Sequence, residues 1–144
     1  MCGIAGIVGG PAERYQEHLS RMLAALTHRG PDDEGRHAEP GCLLGHRRLS
    51  IVDVEGGRQP MLDPGTGAAI TFNGEIYGFQ DLRKAFSGFP YRTHSDTEVI
   101  LAMYRELGPA LLSRLPGMFA FGLWEEKARK LFLALRGIVE HRQH

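Results

Sequence analysis

Residues 2–8 form the first apolar run of the chain, thinned only by Gly3 and Gly6, and the run predicts a buried strand. Glycine inside a strand often marks close approach of a ligand or of another backbone. Gly9-Gly10-Pro11 breaks the run. Tyr15, Leu19, Met22, Leu23 and Leu26 then recur at helical spacing, which predicts a helix over 13–28 that Gly30-Pro31 stops. Residues 29–35 read as a polar loop. A strand is predicted over 42–46, a glycine- and proline-rich loop over 55–67, and a second strand over 68–72. Asn73-Gly74 follows between β-type residues, the usual signal of a hairpin turn. Residues 79–86 predict a short helix. Ser95 with Glu98 three positions on fits a capping box, and Val99, Ile100, Met103, Tyr104 and Leu107 supply the apolar face of the helix behind it. Gly108 and Pro109 end that helix, and Pro109 is placed to open a shorter one through 115. After Pro116-Gly117, strands over 118–124 and 130–135 flank a charged turn and read as a β-hairpin. The order of elements suits an α/β or α+β layered domain rather than a regular βαβ alternation.

Composition adds limits. A chain of 144 residues is one domain by length and can bury a real core. Its 42% apolar and 24% charged residues are ordinary for a globular protein. Glycine, at 19 residues, is high, so tight turns and close backbone approaches are expected. Lys+Arg and Asp+Glu both total 17, a balance that points to neither nucleic acid nor an anionic membrane. No apolar stretch approaches the ~18 residues of a membrane span, and no basic region precedes the first apolar run as in a secretory signal. The two cysteines, Cys2 and Cys42, make no disulfide framework and are too few for a thiolate zinc site. No metal site is expected, and a free thiol fits a reducing, cytoplasmic setting.

Cys2 is the most suggestive residue. Cysteine is a small second residue, so removal of Met1 is expected. Removal leaves a thiol and a free α-amino group on one residue. A thiol attacks as thiolate, and an α-amino group titrates close enough to neutrality to act as its base. One residue then supplies nucleophile and base together. Other candidates are weaker. Cys42 and His46 read as core and surface respectively. His94-Ser95-Asp96 is better explained by helix capping than as a hydrolase triad, whose members converge in space rather than in sequence.

Taken together, Cys2, Arg48, Asn73-Gly74-Glu75 and Asp96 resemble the glutaminase domain of class II glutamine amidotransferases, which are N-terminal-nucleophile hydrolases. The stretches that carry the resemblance are Met1-Cys2-Gly3-Ile4-Ala5-Gly6, His28-Arg29-Gly30-Pro31-Asp32, Arg48-Leu49-Ser50-Ile51-Val52-Asp53, Asn73-Gly74-Glu75-Ile76-Tyr77, Ser95-Asp96-Thr97-Glu98-Val99 and Gly117-Met118-Phe119-Ala120-Phe121. Each is weak alone; in series and in order they are specific. The stretches at 28–32 and 48–53 favour the asparagine synthetase branch.

The resemblance implies an α+β fold, a four-layer αββα sandwich, and a reaction. Glutamine is hydrolysed to glutamate and ammonia through a γ-glutamyl thioester on Cys2. The Asn73 side-chain amide and the Gly74 N–H form the oxyanion hole. Arg48 binds the glutamine carboxylate, and Asp96, helped by Glu75, binds its ammonium. The step needs no cofactor; ATP and Mg2+ belong to the synthetase domain, where the intact family amidates aspartate. The resemblance covers 1–135. Residues 136–144 read as a divergent tail, and the closing strands and the synthetase domain are expected to be absent, leaving the sandwich incomplete at its C-terminus. A synthetase domain or subunit is thus an expected partner that this sequence lacks. Gly78 stands where the family commonly has asparagine, an exchange expected to loosen that loop. Two other readings stay open: an inactive, partner-binding remnant, and an N-terminal-cysteine amidase for another amide.

Overall fold

The structure is a computed structural model that describes residues 2–49 and 56–137. Met1, whose removal is expected, the Ser50-Ile51-Val52-Asp53 part of the motif at 48–53, and the tail from 138 onward lie outside the described residues. The chain runs β1 (Gly3–Val8), α1 (Ala12–Ala25), β2 (Asp33–Glu39), β3 (Cys42–Arg48), β4 (Met61–Leu62), β5 (Ala69–Ile76), α2 (Phe79–Ala85), α3 (Asp96–Leu107), a 3-10 helix (Gly108–Ser113), β6 (Gly117–Glu125) and β7 (Lys130–Arg136).

The strands form two antiparallel sheets, one in the order β1-β3-β2 and the other β4-β5-β6-β7. Alternation along each strand sorts the side chains into layers. In β1 and β3, Ala5 and Leu43 turn to α1, where they meet Leu19 and Leu23. Cys42 and Leu44 turn the other way and meet Ala69 and Trp124 of the second sheet. The outer face of that second sheet carries Ile70, Phe72, Phe121 and Leu123, packed with Ile100 and Met103 of α3. The result is helix, sheet, sheet, helix, the four-layer sandwich expected. Hydrogen bonds cross between the sheets: Thr71 Oγ1 donates to Gly45 O at 2.9 Å, and His46 Nε2 lies 2.9 Å from Phe72 O.

Several local expectations change. Strand β2 replaces the end of the expected polar loop. Its sequence has no apolar alternation, yet it pairs with β3 along its whole length, from Asp33 opposite Arg48 to Glu39 opposite Cys42. Charge pairing replaces apolar packing on this edge, with Glu34 directly across from Arg47 and 3.5 Å from its guanidinium. Arg47 also donates to Gly30 O at 3.0 Å. Helix α1 stops at Ala25 rather than 28; Thr27 Oγ1 bonds the Ala24 carbonyl at 2.9 Å, competing with the next helical turn. Ser95 caps α3 as expected, accepting from Thr97 N, but Glu98 does not close the box. Its carboxylate instead accepts from Arg92 N, Thr93 N and Thr93 Oγ1.

The largest correction concerns Asn73-Gly74. There is no hairpin there. β5 continues straight through, with Asn73 opposite Ala120 and Gly74 opposite Phe119. A type I′ turn needs positive φ at both residues, and Asn73 does not have it. Gly74 has φ +152°, and a Cβ there would overlap Met118 O. The glycine answers to a neighbouring strand, not to a turn.

One polar tie secures the approach to β5. Asp63, 1% exposed, accepts from Gly65 N and Thr66 Oγ1, both at 2.9 Å, and from Arg105 of α3, whose Nε is 3.0 Å away. Burial pushes this carboxyl up, but the Arg105 bond and the turn donors outweigh burial and hold it below the usual carboxylate range. Its stabilisation is therefore full above the unfolded value of ~3.9 and is lost as pH falls through the lower folded value. Asp63→Asn should cost about 1–3 kcal/mol in urea melts at pH 7. The difference from the unsubstituted protein should shrink when the melts are repeated near pH ~3.

Candidate active site

Register and alternation bring the candidate residues to one end of the cleft between the sheets. Gly3 pairs with Arg47, so Cys2, one residue before the strand, falls beside Arg48. Cys2 and Arg48 lie on the inter-sheet faces of their strands, as Asn73 and Glu75 do on β5. Asp96 enters from the first turn of α3. Cys2, Arg48, Asn73, Gly74, Glu75 and Asp96 all line one cavity of about 630 Å³, with Leu49, Gln59, Phe79 and Met118 completing much of its wall.

Cys2 is half-buried. Its Sγ accepts from Leu49 N at 3.4 Å, and its carbonyl accepts from Arg29 Nε at 3.1 Å. The start of the chain is thus tied at both backbone and side chain. Arg48 is 5% exposed, which places its charge in the wall rather than in solvent.

The open edge of β5 forms the opposite wall. Successive amides in an antiparallel strand point to alternate sides. Ile70 faces β4. Phe72 N donates to Gln59 Oε1 at 2.6 Å, and Ile76 N donates to Asp96 Oδ2 at 3.1 Å. Gly74 N–H lies between these two on the same side and points off the edge into the cavity. The Asn73 amide stands beside it on the inter-sheet face.

Asp96 is the electrostatic anomaly. Burial pushes its carboxyl above the usual range and the nearby Glu75 carboxylate adds to the rise, against backbone donors that include Ile76 N. Among the described residues neither Glu75 nor Asp96 forms an ion pair. Two carboxylates at a concave mouth without a cation are suited to receive one.

Two residues of this wall carry no site role in the sequence reading. His46, expected at the surface, is 1% exposed, because the second sheet covers its face of β3. Burial lowers its pKa, with the Arg48 charge adding to the effect against the Phe72 carbonyl. The carbonyl can only accept, so the neutral ring carries its proton on Nε2. A polar residue inside the apolar run from Cys42 is the available signal. Gln59 sits in a loop next to Pro60 and has no local signal. Cys42 is core as expected, its thiol pushed up to about 12 by burial and by Glu39. His94-Ser95-Asp96 forms no triad, since Ser95 Oγ is engaged with Thr97 N at 3.1 Å. Among the described residues no cluster of His, Cys, Asp or Glu could hold a metal ion, and no helix is long and apolar enough to cross a membrane.

The sequence matches the family described as "Glutamine amidotransferase domain" over residues 1–137. The chain belongs to the glutamine amidotransferase domain family. Its relatives include Asparagine synthetase [glutamine-hydrolyzing] 3 of Bacillus subtilis (strain 168), 44% identical over 140 residues that cover 93% of this chain. Asparagine synthetase B [glutamine-hydrolyzing] of Escherichia coli (strain K12) is 40% identical over 130 residues, 88% of this chain. The chain spans 23% and 24% of the lengths of these two proteins. A solved glutamine phosphoribosylpyrophosphate amidotransferase from B. subtilis, complexed with ADP and GMP, superposes with a TM-score of 0.71 at 20% identity, over 94% of this chain and 37% of that one. The helix, sheet, sheet, helix sandwich described here is accordingly the fold of that amidotransferase. Gly78, at φ 62° and ψ 28°, holds a left-handed conformation at the start of α2 that glycine and asparagine both tolerate.

The raised Asp96 carboxyl gives a signed expectation. A folded-state pKa above the unfolded one stabilises the fold fully below ~3.9, and that stability is lost as pH rises through the folded value. Asp96→Asn mimics the protonated form and keeps the acceptor for Ile76 N. Thermal melts should show it more stable than the unsubstituted protein at pH 7 and level with it near pH ~3.

Proposed function

We propose that this cavity hydrolyses glutamine to glutamate and ammonia. The observation that carries the reading is the convergence of a chain-start thiol, an inward Arg48, two carboxylates without an ion pair among the described residues, and an edge N–H beside a side-chain amide on one cavity. With Met1 removed, the Cys2 α-amino group takes the thiol proton and the thiolate attacks the glutamine side-chain carbonyl carbon. The oxyanion that forms is held by the Asn73 amide and the Gly74 N–H. The α-amino group returns the proton to the leaving nitrogen, and ammonia departs as the γ-glutamyl thioester forms. Water, deprotonated by the same group, attacks the thioester; glutamate leaves and the thiol is restored. Arg48 pairs with the substrate α-carboxylate, and Asp96 with Glu75 takes its α-ammonium. A bound ammonium also relieves the cost of burying the Asp96 charge. Residues 1–135 carry this glutaminase unit.

The relatives' names join glutamine hydrolysis to asparagine synthesis. On that basis the ammonia made here is used to amidate aspartate with ATP and Mg2+ on a synthetase domain or subunit, in the cytoplasm. The remnant reading does not account for so complete a set of groups on one cavity. An amidase for another amide does not account for both Arg48 and the carboxylate pair.

Purified protein should release glutamate from glutamine, and Cys2→Ala should abolish release; equal background in both would sink the activity. Intact mass should show loss of one methionine. Asn73→Ala should lower kcat by about 10²–10³-fold with little change in KM, because its amide acts on charge that develops only in the transition state.

A further inference from the structure

Gln59 touches none of the reacting atoms in the reading above, yet its side chain joins the two elements that carry them. Its Oε1 accepts from Phe72 N at 2.6 Å, and its Nε2 donates to Thr97 Oγ1 at 3.2 Å. Phe72 immediately precedes the Asn73-Gly74 pair. Thr97 immediately follows Asp96. A single side-chain amide therefore spans from the oxyanion donors to the ammonium-binding carboxylate. His46 holds the same residue of β5 from its other end, donating to Phe72 O at 2.9 Å.

The backbone of Gln59 is itself fixed. Its carbonyl lies so close against Gly35 of β2 that a Cβ there would overlap it, and the loop rests directly on the first sheet. β4 pairs only as far as Ile70 of β5. Had it continued, a strand would cover Phe72 and then Gly74. Gln59 takes the place of that strand at Phe72 alone and leaves the next outward amide, Gly74 N–H, to the cavity.

We infer that Gln59 is a positioning residue of the glutamine-hydrolysing site, clamping β5 to α3 and ending the β4 ladder one outward amide short of the oxyanion donor. The inference rests on the glutaminase reading. A primary amide supplies a neutral acceptor and a neutral donor on separate atoms; glutamate would lose the donor and add a third carboxylate near Asp96 and Glu75. The two arms have separable effects. The arm to Phe72 governs donors that act in the transition state, and the arm to Thr97 governs a group that binds ground state and transition state alike.

The test is steady-state glutaminase kinetics on the full chain with Gln59→Leu and Thr97→Val, alongside thermal unfolding and amide hydrogen exchange. Gln59→Leu should lower kcat by about 10–100-fold, the effect of a small misplacement of catalytic groups. Thr97→Val, which cuts only the arm to α3, should raise KM by up to about tenfold with kcat within about twofold. Folded Gln59→Leu protein with unchanged kcat and KM overturns the inference. So does a fall in apparent kcat common to both variants, with KM unchanged in both, that tracks melting temperature. If the unsubstituted protein releases no glutamate, the glutaminase reading fails separately. Exchange then decides the clamp: loss of Phe72 protection in Gln59→Leu supports it, and retained protection overturns it.

Discussion

The outward edge of β5 is the constraint on which the rest depends. A strand edge presents an amide at every second residue, and each must find a partner or meet solvent. Here Ile70 is met by β4, Phe72 by Gln59 and Ile76 by Asp96. Gly74 alone is left directed into a cavity. An open donor is obtained by withholding one hydrogen bond from an otherwise satisfied series. The partners on either side are side chains, so the donor is fixed without being covered.

The sandwich brings Cys2 to that edge. The two sheets meet through a small apolar cluster of Cys42, Leu44, Ala69 and Trp124, and through the polar links from Thr71 and His46. The cluster fills one end of the cleft; the other end holds Cys2, Arg48, Asn73 and Glu75. Burial there is unfavourable for Asp96, whose carboxyl is raised by desolvation and by a like charge. The fold carries that cost because α3 and β5 are held by other contacts, among them the Asp63–Arg105 tie.

Much of this is legible in the sequence, for identifiable reasons. The apolar spacing of Leu19 and Leu23, of Val99 to Leu107, and of the hairpin after Gly117 each reports a face buried by its own element. Strand β2 escapes such a reading because its partner's register, not its own residues, makes it a strand. Asn73-Gly74 mimics a turn because the demand for glycine comes from Met118, far along the chain. His46 escapes for the same kind of reason, its burial being imposed by a second sheet. The candidate residues are readable only as an ordered set. Their common parity on the inter-sheet faces, which makes them a site, follows from pairings that no local window contains.

The crowding of Met118 against Gly74 has an evolutionary corollary. At this position glycine is required for the two strands to lie together at all, whatever happens in the cavity. Cys2 and Asn73 are under no such obligation to the fold. In a lineage that ceased to use the proposed reaction, drift would reach positions 2 and 73 while position 74 stayed glycine. Copies retaining all of them are under selection for chemistry, and copies retaining only the glycine are under selection for shape.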